Sequence, residues 1–194
     1  MTKKVRFYFA YNSPYAFLAS QRLAHELGGL AVEVEYKPVY SPRTGGGGPD
    51  PNSPRIKYLF QDVRRFADAY GLQLNAGPFA DSKNACVGFF FASAEGRGRA
   101  YHDSVYRARW LEGKNIGDEE TLAALAEQCG LDRAAFIAAL TDQRYLAALD
   151  ESNHAAQADE VFGFPFFIFG EEKFWGNDRI EWLVRSIKNA TIAR

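Results

Sequence analysis

Cysteine, histidine and methionine are scarce in this chain. Its 194 residues include two cysteines, three histidines and one methionine. Cys86 and Cys129 lie far apart and form neither a Cys-x-x-Cys pair nor a zinc-ligand pattern. We therefore expect two ordinary thiols, buried or half-buried, and no disulfide framework. His25, His102 and His154 lack the short spacing of metal ligands, so the sequence predicts no metal site.

An excess of one charge sign and long hydrophobic runs are also missing. The formal net charge is −1 and no basic cluster occurs, which argues against a nucleic-acid partner and against an anionic membrane surface. The longest apolar stretches are too short to span a bilayer, and the N-terminal residues show no secretory signal. We therefore expect a soluble, cytoplasmic protein.

Two familiar catalytic patterns are absent as well. No Gly-x-Ser-x-Gly elbow surrounds Ser13, and no histidine is related to it by spacing, so a hydrolase triad has no support. The four glycines at 45–48 lack the Lys-Ser/Thr pair of a phosphate-binding loop. Because residues 41–54 are rich in glycine and proline, we interpret them as a mobile loop.

The first forty residues indicate a strand, a helix and a second strand. Residues 4–10 form an apolar run, and residues 14–27 have helical periodicity that Gly28 and Gly29 interrupt. Residues 31–37 alternate between apolar and charged side chains, which is the period of a half-exposed strand. Together these patterns predict a βαβ unit.

The remainder divides into a helical block and a closing hairpin with a helix. Helices are predicted over residues 56–70, 84–95, 98–111, 119–129, 133–140 and 141–158. The apolar run 161–170 then reads as a strand, Glu171-Glu172 as a turn and residues 173–175 as its partner strand. A last helix opens at Asn177-Asp178.

Ser13 stands where the first strand meets the first helix, followed by Pro14 at the first helical position. A helix start carries unpaired backbone N–H groups and the positive end of the helix dipole, so an anion is favoured next to this hydroxyl. Helix capping without chemistry is the alternative interpretation of Ser13, because serine caps many helices.

The element order predicts an α/β protein with a thioredoxin-like fold and an inserted all-helical domain. The predicted thioredoxin-like domain comprises residues 1–45 and 159–194, and the helical insertion comprises residues 46–158. Within that class the sequence resembles the 2-hydroxychromene-2-carboxylate isomerases and the kappa-class glutathione transferases, relatives of the DsbA-type oxidoreductases. The motifs that carry the resemblance are Ser13-Pro14-Tyr15, the stretch 57–71, Val161-Phe162-Gly163-Phe164-Pro165 and Phe174-Trp175-Gly176-Asn177-Asp178-Arg179.

The resemblance implies glutathione as cofactor and a site for it. Redox members carry Cys-Pro-x-Cys at the helix start, but the four positions here contain no sulfur, which excludes dithiol chemistry at this site. Ser13 is then the catalytic residue whose hydroxyl hydrogen-bonds the glutathione thiolate. Pro165 stands at the position of the family's cis-proline, and it and the preceding Phe164 are implied to hold the cysteinyl part. The γ-glutamyl part is implied to bind Trp175, Gly176, Asn177 and Asp178.

Plain structural readings of the same residues remain as alternatives. Asn177 and Asp178 are also explained by helix capping, and Phe164-Pro165 by a turn that leads into a strand. The resemblance further implies a second-substrate pocket near Asn52, Lys57 and Tyr58, and a homodimer.

Three functional hypotheses follow. The first is a glutathione-dependent isomerase of 2-hydroxychromene-2-carboxylate-like aromatic compounds, in which thiolate addition, bond rotation and elimination return glutathione unchanged. The second is a kappa-like transferase that conjugates glutathione to a small electrophile. The third is a non-catalytic module that binds peptides along the Phe164-Pro165 edge.

Overall fold

The computed structural model describes residues 3–40, 50 and 52–192. In chain order the elements are β1 (Lys3–Phe9), α1 (Pro14–Glu26), β2 (Val32–Pro38), α2 (Pro54–Ala69), α3 (Lys83–Ala94), α4 (Gly98–Trp110), α5 (Glu119–Gln128), α6 (Arg133–Ala139), α7 (Gln143–Ala158), β3 (Phe166–Phe169), β4 (Glu172–Trp175), a 3-10 helix (Asn177–Arg179) and α8 (Ile180–Ile192). Across these described ranges, no helix combines the length and the hydropathy that a membrane crossing needs.

The chain divides into two compact units, residues 1–39 with 152–194, and residues 40–151. The sequence places one domain boundary after residue 45, which, like the glycines at 45–48, lies outside the described residues. The second predicted boundary lies after residue 158, at the end of α7. The observed division lies before residue 152, within α7.

The first unit contains a four-stranded sheet in the order β2-β1-β3-β4. β1 is parallel to β2 and antiparallel to β3, and β4 is antiparallel to β3. Helices α1 and α8 pack against each other in the same unit. This arrangement confirms the predicted thioredoxin-like fold, with β1-α1-β2 and β3-β4-α8 as its two halves.

Aromatic side chains form much of this unit's core. Phe7 on β1 is the register partner of Phe167 on β3, and their rings stack with centroids 5.0 Å apart. Both side chains are fully buried. Burial of a phenylalanine side chain contributes about 1.5–3 kcal/mol to the stability of the fold, so this pair stabilises the contact between the two central strands.

The closing hairpin differs from the prediction in two details. β3 begins only at Phe166, because Pro165 has no N–H to donate to a strand ladder and the residues before it leave the sheet. The turn consists of Gly170 and Glu171, with Gly170 at a φ of +61°, and Glu172 already belongs to β4. The predicted turn at Glu171-Glu172 was therefore one residue too late.

A half-buried polar cluster joins β1 to the residue after α7. The hydroxyl of Tyr8 donates to Oδ2 of Asp159 at 2.5 Å, and the Arg6 guanidinium donates to the same oxygen at 2.5 Å. The Tyr8 ring is fully buried and packs against Phe166 and the half-buried Phe164. The pKa of Tyr8 is raised well above its ordinary value, because burial and then the Asp159 carboxylate disfavour the phenolate.

This cluster predicts a loss of stability in alkaline solution. An unfolded tyrosine releases its proton near pH 10.0, whereas folded Tyr8 keeps it, so the free energy of unfolding falls as the pH rises above that value. The slope for one such group is about 1.4 kcal/mol per pH unit. We expect Tyr8→Phe to flatten the alkaline limb of the stability curve by that amount in urea unfolding. Parallel curves for the variant and the wild type would contradict this assignment.

Among its described residues the second unit contains helices joined by loops and no strand, as the sequence predicts. Cys86 on α3 is a buried free thiol and Cys129 after α5 is a half-buried one, which confirms the expectation for the cysteines. Burial raises the pKa of both thiols, so neither is activated. Phe89 and Phe91 of α3 are buried in the core.

Candidate active site

Ser13 caps the first helix, as its sequence position predicts. Its backbone is extended, Pro14 occupies the first helical turn, and Oγ accepts a hydrogen bond from the Ala16 N–H at 3.2 Å. The Ser13 side chain is half-buried. The hydroxyl therefore lies at the positive end of the α1 dipole, where a negative charge is stabilised.

A second hydrogen bond connects Ser13 to the segment before β3. Its hydroxyl donates to the Phe164 carbonyl oxygen at 3.1 Å, across 151 residues of sequence. The Phe164-Pro165 peptide bond is cis, as the resemblance implies. The helix start and the residues before β3 therefore meet at one place, with a backbone carbonyl directed at the serine.

The Trp175–Asp178 segment adjoins the same place. The Gly176 N–H donates to the Pro165 carbonyl at 3.0 Å, and Trp175 is the register partner of Phe166. The 3-10 helix that follows packs against α1. The structure thus brings Ser13, Phe164, Pro165, Trp175, Gly176, Asn177 and Asp178 together within the first unit.

Gly176 has a backbone conformation that only glycine adopts readily, with φ +117° and ψ 151°. A Cβ atom at this position would lie 2.5 Å from Oδ1 of Asp178. The absence of a side chain therefore lets the Asp178 carboxylate lie against the Gly176 backbone.

Gly176→Ala is expected to lower the free energy of unfolding by about 2 kcal/mol, because it combines backbone strain with a collision. The matched control is Gly170→Ala, which has φ +61° but nothing within 4 Å of the added Cβ. We expect this control to lose about 1 kcal/mol. Urea unfolding of both variants makes the comparison, and equal losses would show that neither the φ of +117° nor the Asp178 contact at Gly176 adds a cost.

Asp178 has a salt bridge that the sequence did not predict. Its Oδ2 is 2.8 Å from Nη2 of Arg179, and both side chains are about half exposed, at 47% and 50%. Asn177, by contrast, is buried. Adjacent opposite charges were the only signal of this pair in the sequence. The carboxylate is held in place but remains accessible to an incoming cation.

Phe162 is a second neighbour that the prediction missed. It is 71% exposed, and its ring meets the half-exposed Trp175 ring edge-on with centroids 4.8 Å apart. Gly163, which follows Phe162, also lies close to this pair, because a Cβ atom added there would lie 2.5 Å from the Trp175 Nε1. A pair of exposed aromatic rings therefore borders the Gly176–Asp178 segment, and the motif Val161-Phe162-Gly163 carried the signal.

Asn52, Lys57 and Tyr58 belong to the second unit, at the beginning of α2. All three side chains are exposed, Tyr58 by 60%. Asn52 lies just before α2, and its backbone N–H donates to Oδ1 of Asp50 at 2.9 Å. Their assignment to a second-substrate pocket stays a prediction.

Comparisons with known proteins agree with this fold. Residues 4–188 match the family model described as a DSBA-like thioredoxin domain. The 2-hydroxychromene-2-carboxylate isomerase of Pseudomonas putida is 34% identical, over 91% of this chain and 90% of that protein. A solved structure of a 2-hydroxychromene-2-carboxylate isomerase superposes with a TM-score of 0.84 at 31% identity, covering 97% of this chain and 96% of that chain.

A more distant structure shares the fold. The cytosolic disulfide reductase DsbM from Pseudomonas aeruginosa, solved with GSH, has a TM-score of 0.71 at 17% identity and covers 95% of this chain and 99% of that one. Together with the sequence matches, the fold and the motifs settle the family. The chain belongs to the DSBA-like thioredoxin domain family, in the group that includes the 2-hydroxychromene-2-carboxylate isomerases.

Proposed function

We propose that this protein is a glutathione-dependent isomerase of 2-hydroxychromene-2-carboxylate-like aromatic compounds. The observation that carries the proposal is the hydrogen bond from Ser13, at a helix start that lacks cysteine, to the Phe164 carbonyl, next to the proline whose carbonyl accepts from the Gly176 N–H. The relatives named as isomerases support the reaction class. The GSH in the DsbM structure supports the choice of thiol.

The residues present fit a tripeptide thiol of this kind. Glutathione, when bound, supplies a thiolate that adds reversibly to a double-bond carbon, which lets the resulting single bond rotate before elimination restores the free thiol. The backbone of Phe164 offers hydrogen-bonding groups to an extended peptide, in the manner of an added strand. The side-chain-free Gly176 lets the Asp178 carboxylate lie against its backbone.

Ser13 and the α1 N-terminus stabilise the thiolate. A free thiol has a pKa near 8.5, and each tenfold change in its ionisation corresponds to about 1.4 kcal/mol. One charge-assisted hydrogen bond contributes about 1.5–3 kcal/mol and a helix dipole about 0.3–1 kcal/mol. These magnitudes suffice to make the thiolate the main species near neutral pH.

The amino-acid end of glutathione has a complementary partner. Its α-amino group is positive, and the exposed carboxylate of Asp178 is placed to receive it. Its α-carboxylate is negative and suits the backbone N–H groups at the start of the 3-10 helix and α8. We propose that Trp175 and Asn177 complete this subsite. Asn52, Lys57 and Tyr58 are proposed to contact the aromatic substrate.

The reaction is tested by incubating the protein with 2-hydroxychromene-2-carboxylate and a small amount of glutathione. The proposal predicts many turnovers per glutathione, no conversion without thiol, and unchanged thiol at the end. Mass analysis of the products separates the alternatives. A stable glutathione adduct with net loss of thiol would establish the transferase instead, and a protein that binds peptides but not glutathione would be a non-catalytic module.

A further inference from the structure

Both hydrogen-bonding roles of the Ser13 hydroxyl are already occupied within the chain. Its oxygen accepts from the Ala16 N–H, and its single proton is donated to the Phe164 carbonyl. A hydroxyl has one proton only. The proton that a bound thiolate requires is therefore unavailable until the bond to Phe164 breaks.

Breaking the Ser13–Phe164 hydrogen bond is unfavourable unless another donor takes its place. Phe164 is half-buried, and its carbonyl loses a hydrogen-bond partner when the Ser13 bond breaks, which costs free energy. An amide N–H brought by the ligand removes this cost if it takes the place of the serine proton. The carbonyl of the residue before Pro165 is the acceptor that an extended peptide would meet.

We propose that the ligand-free site is closed by the Ser13–Phe164 hydrogen bond and opens by exchange, in which a ligand amide N–H takes over the Phe164 carbonyl and the Ser13 proton turns to the ligand's sulfur. This inference rests on the proposed function and extends it to ligand selection. The site takes thiols with an N-acylated cysteine and discriminates against thiols that lack this N–H.

The exchange requires no movement of the backbone. The Ser13 proton changes direction by rotation about the Cβ–Oγ bond, which leaves the oxygen in place. The hydrogen bond from Ala16 to that oxygen, and with it the cap of α1, is therefore retained. The helix N-terminus stays intact in the open state and still faces the thiolate.

The test compares two ligands on two proteins. The ligands are glutathione and its depsipeptide analogue, in which an ester oxygen replaces the cysteinyl amide N–H. The proteins are the wild type and Ser13→Ala, and the readout is the thiol–thiolate equilibrium of the bound ligand, followed by ultraviolet absorbance across pH. With glutathione, we expect Ser13→Ala to shift this equilibrium about tenfold towards the thiol.

With the depsipeptide, the same substitution should shift the equilibrium less than about twofold, because Ser13 then stays on Phe164. Ser53→Ala is the matched control, since Ser53 also precedes a proline at a helix start but makes no side-chain cap bond. We expect it to behave as the wild type. A depsipeptide that fails to bind where glutathione binds supports the same selection.

Two results would overturn the exchange while the proposed function stands. One is a tenfold effect of Ser13→Ala with both ligands, and the other is no effect with either ligand although both bind. Failure of glutathione itself to bind the wild type would overturn the proposed function, and the exchange with it.

Discussion

Ser13→Ala is expected to lower kcat/KM for the glutathione-dependent isomerisation by about tenfold. The substitution removes the Ser13 hydroxyl at the α1 N-terminus as a donor to the proposed thiolate, and the rate falls with the fraction of bound thiolate, which shifts about tenfold. The helix dipole remains, so some turnover persists. Steady-state kinetics at saturating glutathione, with the thiol equilibrium measured alongside, gives the result.

The variant is expected to stay folded, because loss of an N-cap costs about 1 kcal/mol. Ser53→Ala, at the capping position of α2, provides the matched serine-to-alanine change without a lost hydrogen bond. Wild-type activity is expected for that control. If Ser13→Ala also kept full activity with an unchanged thiolate absorbance, Ser13 would be a helix cap and nothing more.

Asp178→Asn is expected to weaken glutathione binding by about 10–100-fold. The change keeps the shape of the side chain but removes the negative charge that we propose receives the ligand's α-amino group, and a charge-assisted hydrogen bond is worth about 1.5–3 kcal/mol. It also leaves the Arg179 guanidinium without its partner, which adds repulsion toward the ammonium. Calorimetric titration measures the dissociation constant.

Asp142→Asn is the control for this substitution. Asp142 pairs with Arg144 at 2.7 Å, close to the 2.8 Å of the Asp178–Arg179 pair, but it lies in the helical unit. Its loss should leave glutathione affinity unchanged. Because an exposed ion pair contributes little to stability, neither variant is expected to unfold. Equal affinities for the Asp178 variant and the wild type would remove Asp178 from the site.

Local sequence patterns predicted the fold because each one has a local physical cause. The apolar run before Asn12, the Ser13-Pro14 cap and the two glycines after the helix define β1 and α1 without reference to the rest of the chain. The same holds for the helices between residues 54 and 158, whose periodicity lies in the sequence itself.

The parts that escaped prediction depend on contacts between distant residues or on backbone conformation. No local pattern shows that the Ser13 hydroxyl reaches the Phe164 carbonyl, since the two are brought together only by the antiparallel pairing of β1 with β3. The late start of β3 follows from Pro165, which a hydrophobicity pattern does not register. The conformation of Gly176 likewise appears only in three dimensions.

Calorimetric titration of the wild-type protein with glutathione decides whether Ser13 and its neighbours bind a thiolate. We expect saturable binding at one site per chain, with a dissociation constant in the micromolar to millimolar range. We also expect proton release at neutral pH, because the bound thiol ionises at the α1 N-terminus. No heat of binding at millimolar glutathione, or binding without any release of protons, would contradict the assignment of Ser13 and its neighbours as a thiolate site.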